Sequence, residues 1–174
     1  MSEPQAIPHS VDELEAIVQK VLDLSADRGA TSAEAAVSSD TGLSVTARLG
    51  EVETLEYHKD QGVGVTVYFG QRKGSSSSSD LRPEALTEAV EAACRIARYT
   101  EEDECAGLAD AELMAYDYPD LELDYPWAID AEAAVELAKQ TEANALELDE
   151  RITNSDGGSV NAFRGASVYG NSHG

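Results

Sequence analysis

LSVTARLGEVETLEYHKDQGVGVTVYFGQRKGSSSSS, residues 43–79, decides the fold of this chain. Leu43, Val45, Ala47 and Leu49 alternate with Ser44, Thr46 and Arg48, the period of two that marks a half-buried strand. Leu49-Gly50-Glu51 reads as a tight hairpin turn, with Gly50 free to take positive φ. Residues 52–58 continue as a second strand, amphipathic but not cleanly so, with His58 near its end. Residues 62–69 are β-branched and aromatic and predict a further strand, and residues 70–74 the turn after it. The five serines at 75–79 are ambiguous. Their composition is that of a flexible linker, while their position after a hairpin turn is that of a strand.

Outward from this block the period changes to that of helices. Ser10 and Glu13 fit a capping box, and Leu14, Ile17, Val18, Val21 and Leu22 form one apolar stripe ending near Gly29. Residues 1–9 read as a flexible tail, and residues 33–39 as a short strand. Beyond the serines a helix is expected over 81–99, with Asp80 as N-cap and Pro83 in its first turn. Its buried face holds Leu86, Val90, Ala93, Cys94 and Ala97. Residues 101–128 look irregular. A third helix is expected from about 130 to 150, with Ile129 as a possible staple. A turn at 154–158 and a strand over 159–169 follow, and the last residues resemble the middle of a hairpin. The fold class is therefore α+β, an antiparallel or mixed β-sheet flanked by amphipathic helices.

Charge narrows the function. The 174 residues carry 34 acids and 12 bases, a net −22. Residues 101–150 hold 17 of the acids and one base, Lys139. No basic footprint is present, so direct binding to a nucleic-acid backbone is not expected. No apolar run approaches the roughly 20 residues of a membrane-spanning helix. The N-terminus has neither the basic nor the apolar region of a secretory signal, so a cytoplasmic location is expected.

The residues that could carry chemistry are few. His9, His58 and His173 are scattered, and no HExxH, CxxC or zinc-spaced Cys/His cluster is present. Cys94 lies on an apolar helix face, and Cys105 lies among anions that disfavour a thiolate. Asp117, Asp120, Glu122 and Asp124 are oxygen donors without calcium-loop spacing. No P-loop, nucleophile elbow or dinucleotide fingerprint occurs. No catalytic, cofactor-binding or metal-binding residue is assigned. A site built across a dimer from His58, His173 and carboxylates is the weaker alternative.

Arg48, Gly50 and Glu53, then Gly62 and Gly64, then Gly70, Arg72 and Gly74 stand in an ordered pattern: R-x-G-x-x-E, G-x-G-V, G-x-R-x-G, then small residues. Together with Ile152-Thr153-Asn154-Ser155-Asp156-Gly157 and Asn171-Ser172-His173-Gly174, this pattern resembles the N-terminal domain of the PmbA/TldD family, on its PmbA side. The resemblance spans about residues 10–174, which it makes one N-terminal domain without the family's C-terminal domain. It favours a strand for residues 75–79. It implies a subunit of a cytosolic zinc metallopeptidase that trims unfolded peptides. The chain would be a scaffold wall paired with a TldD-like subunit or with itself. No zinc is expected in this chain; the TldD-like partner would hold it through an H-E-x-x-x-H helix. The alternative function is a freestanding acidic protein-interaction module without enzymatic activity.

Overall fold

The structure is a computed structural model and describes residues 7–174. Helix α1 spans Val11–Asp27, β1 Ser32–Arg48, β2 Glu51–Phe69, β3 Arg72–Ser78, α2 Pro83–Tyr99, α3 Ala131–Leu148 and β4 Gly158–Asn171. The strands form one antiparallel sheet in the order β3-β2-β1-β4, so β4 and β3 are its edges. The expected α+β architecture is the one observed. Among the described residues no helix is long and apolar enough to cross a membrane.

The helices start as their chemistry dictates. At α1 the Ser10 side chain accepts from the Glu13 N–H, and the Glu13 carboxylate accepts from the Ser10 N–H at 2.8 Å. At α3 the Asp130 carboxylate accepts from the Ala133 N–H. For α2 the expectation fails. Its N-cap is Arg82, with no side-chain cap bond, and it begins at Pro83. Asp80 instead folds back on Arg82, accepting from its backbone N–H and its guanidinium. Of the tail, residues 1–6 lie outside the described residues. His9 approaches Gln61, with 3.2 Å between His9 Nε2 and Gln61 Oε1.

Two strands are longer than the sequence suggests. β1 runs unbroken through residues 39–42, and β2 through residues 59–61. The polar residues there interrupt the apolar alternation, but inner strands are paired on both sides, so the ladder carries them. His58 therefore lies inside β2 rather than at a strand end. The hairpin between β1 and β2 turns on Leu49 (φ +51°) and Gly50 (φ +78°), the two positive values that a twisted two-residue hairpin requires.

The serines at 75–78 lie in β3, as expected, while Ser79 falls just beyond its end. Its register against β2 pairs Val63 with Ser78 and Phe69 with Arg72. Gly74 explains how so poor a strand former is held. A Cβ there would collide with the Ala93 carbonyl oxygen and the Ala97 backbone of α2, so strand and helix meet at backbone distance.

The chain divides into two compact units, to each of which β1, β2 and β4 contribute. One, which contains α1, α2 and β3, has a large apolar core that includes Leu14, Val18, Val37, Val67, Leu86 and Val90. The other, which contains α3, has a small core of Leu43, Val45, Ala47, Ala134, Ala138 and Val160.

Candidate functional site

Within the α3 unit, a cavity of about 380 Å³ lies along β4. Five consecutive β4 residues, 161–165, border it together with Thr41 and Leu43 of β1, two residues of one face of the sheet. Leu43 and Ile129 contribute apolar surface, and the irregular segment supplies Tyr125 and Trp127. Arg164 projects from β4 and grips Asp124 with two parallel bonds, Nε to Oδ1 at 2.9 Å and Nη2 to Oδ2 at 2.6 Å. Those bonds hold the Asp124 carboxyl below its ordinary range and raise the Arg164 guanidinium. The fork geometry suits carboxylate recognition. The lining joins this fork to apolar and aromatic surface and includes no Ser, Cys, His or Lys side chain.

A second cluster in the same unit is built around Glu142 of α3. Its side chain is buried, yet it accepts from the Gly50 N–H at 3.1 Å and from the Ser155 hydroxyl at 2.8 Å. Ser155 Oγ also accepts from the Gly157 N–H, and Arg48 Nε donates to the Ser155 carbonyl. Hydrogen bonds from the Leu49 and Gly50 amides, then from Ser155, hold the Glu142 carboxyl below its usual range. At Gly158 a Cβ would collide with the Ala138 carbonyl, so α3 and the start of β4 also meet at backbone distance. The hairpin motif and the 152–158 motif, far apart in sequence, thus converge on one carboxylate. Their residues here fasten structure.

In the unit containing α1 and α2, a groove of about 550 Å³ is floored by small residues, including Ala36, Ser38, Gly62, Gly64, Ser77 and Ser167. Nothing lies within 4 Å of a Cβ placed on Gly64, and no contact of the described residues explains that glycine. Nearby in β1, Glu34 accepts from two phenols, Tyr68 at 2.9 Å and Tyr169 at 2.8 Å. Burial, then the bond to Glu34 and its charge, push the Tyr68 hydroxyl up to about 12.

The three histidines have separate surroundings. His9 lies by Gln61 and Glu13, and the His173 N–H donates to Asn171 Oδ1. The His58 ring lies tilted against Phe163, with centroids 4.8 Å apart, and a Cβ at Gly42 would collide with both rings. Burial raises the Cys94 thiol, and Cys105 is exposed. Among the described residues no three His, Cys, Asp or Glu side chains form a group able to hold a metal ion. The donors present therefore do not fit a zinc site.

Comparison with known proteins agrees with the motif geometry. Residues 33–97 match PmbA/TldA metallopeptidase domain 1, and residues 124–174 match the PmbA/TldA metallopeptidase central domain. The chain belongs to the PmbA/TldD family. It is 50% identical over 161 residues to the metalloprotease PmbA of Escherichia coli O157:H7, covering 92% of this chain and 36% of that protein. It is 52% identical over 162 residues to a metalloprotease PmbA homolog of Haemophilus influenzae, covering 93% and 36%. The chain thus spans about a third of the length of these relatives. Among solved structures, a Bacteroides thetaiotaomicron protein named as a modulator of DNA gyrase aligns with a TM-score of 0.75 at 26% identity, over 94% of this chain and 38% of that one. TldE from Thermococcus kodakarensis shares the fold, with a TM-score of 0.70 at 19% identity, over 91% and 35%.

Neither of these two pairings carries a local sequence signal: Asp124 and Arg164 are 40 residues apart, and Gly50 and Glu142 are 92 apart.

Proposed function

We propose that this chain is a scaffold part of a PmbA-like subunit in a cytoplasmic metallopeptidase assembly that trims unfolded peptides. In this reading the chain encloses and orients peptide. A TldD-like partner holds the zinc, which supplies a Lewis acid and an activated water when bound. The observation that carries the reading is the 50% identity, over 92% of the chain, to a protein named a metalloprotease. The cavity beside β4 supports the peptide-holding role, since an edge strand offers backbone groups to an extended chain.

The test is metal analysis of the purified chain with an unstructured-peptide hydrolysis assay. We expect no stoichiometric zinc and no cleavage by the chain alone, and co-purification with a TldD-like subunit when the two are expressed together. One tightly held zinc per chain, with hydrolysis abolished by a chelator, would overturn the scaffold role. The acidity of residues 101–150 favours a second reading, an interaction module without a peptidase partner. Failure to associate with any TldD-like subunit would favour it.

A further inference from the structure

We propose that Arg164 is a carboxylate receptor for the free C-terminus of a short peptide, and that Asp124 is the chain's own stand-in for that ligand. The identification of the ligand as a peptide rests on the peptidase reading above; carboxylate recognition stands on geometry alone.

Arg164 is anchored in a strand, and its side chain is largely covered, at 30% exposure. Its partner Asp124 lies in the irregular segment and is 62% exposed. A largely covered guanidinium carried by a strand thus meets a carboxylate carried by a segment without regular structure. The two parallel bonds are those that a terminal α-carboxylate would make. The cavity beside them is large enough for one or two residues. Leu43, Tyr125 and Trp127 line it and would cover an apolar C-terminal side chain, and Asn161 offers an amide from the strand edge.

The exchange is balanced in charge. A peptide carboxylate displaces the Asp124 carboxylate from Arg164, so the cavity keeps one guanidinium and one bound carboxylate, and the released Asp124 returns to water. The net gain is the burial of the apolar side chain. Asp124 is then a competitor, and it lowers apparent affinity by the fraction of molecules in which it occupies Arg164.

The test uses Trp127, the only tryptophan of the 174 residues and a cavity residue. Its fluorescence is followed while the chain is titrated with the tripeptide Ala-Ala-Leu as free acid, as C-terminal amide, and with Ala-Glu-Leu amide. The free acid should give a saturable change, and both amides about tenfold weaker binding or none. Arg164→Gln should abolish the difference between acid and amide, with circular dichroism confirming an intact fold. Asp124→Asn should bind the free acid several-fold more tightly, the reverse of what loss of a structural ion pair would do. Equal binding of acid and amide, binding of the internal glutamate peptide as well as the free acid, weaker binding by Asp124→Asn, or no response to any peptide would each overturn the proposal. The peptidase reading would survive all of these, since it is decided by association with a TldD-like subunit and not by binding to Arg164.

Discussion

The two units of this chain are held by different physics. The one with α1 and α2 packs leucines and valines of two helices against three β2 valines, and apolar burial dominates it. The one with α3 presents mainly alanines, Ala134 and Ala138, to Leu43, Val45 and Ala47. Small side chains bury little area, so this unit depends on close backbone approach at Gly158 and on the Glu142 carboxylate. The family's sequence motifs fall in both units, and one group of them marks the α3 unit. Arg48, Gly50, Ser155 and Gly157 gather where apolar packing is thin.

Core truncation should distinguish the two units most strongly. Leu14 is fully buried among aliphatic neighbours, and Leu14→Ala should cost about 3–5 kcal/mol. Leu43 is equally buried but already borders a cavity, so Leu43→Ala should cost less, about 2 kcal/mol. Urea titration of both variants measures the difference. Equal costs would show that the cavity does not relax the site.

Acid should separate the units next. A carboxyl whose pKa is lower in the folded state contributes stability that is complete above its unfolded value and lost as pH falls through the folded one. Glu142 is such a group. Thermal melts taken downward from neutral pH should lose stability through the acid range, and Glu142→Gln should flatten that loss. At the other extreme Tyr68, raised to about 12, supplies stability that is complete below about pH 10 and lost as pH rises toward 12. An alkaline tyrosine absorbance titration of wild type against Tyr68→Phe should place this late phenol in the α1/α2 unit.

Salt gives a smaller effect. The 17 acids of residues 101–150 repel one another at low ionic strength and are screened near 1 M salt, where the Debye length is about 3 Å. Melting temperature should rise by a few degrees from dilute buffer to high NaCl. The smallest effect is at Ser39, whose hydroxyl is buried with no hydrogen-bond partner among the described residues. Ser39→Ala should be neutral or stabilise by up to about 1 kcal/mol, as read by urea titration.

Much of the fold was legible because local signals agreed with global ones. The Ser10–Glu13 box, the period of two around Val63, Val65 and Val67, and the turn at Gly50 each name their own structure. Composition misled where pairing overrode it. Four of the five serines, 75–78, are in a strand because the turn before them fixes the register against β2 and Gly74 admits α2. The polar breaks in β1 and β2 vanish because the ladder, not the side chains, runs through them. Asp80 could not be distinguished from a cap, since the Arg82 that captures it is a local competitor with the same reach. The site was hardly legible at all. Glu142 is one acid among several in its helix, and Arg164 and Asp124 meet across a separation of 40 residues.

The most direct test of the two-unit account is amide hydrogen exchange on wild type and Glu142→Gln at neutral pH. The account predicts faster exchange at residues 47–51 and 152–158, with the protection of Leu14, Val18, Val67 and Val90 unchanged. An equal loss of protection in both units, or none at the hairpin turn, would contradict it.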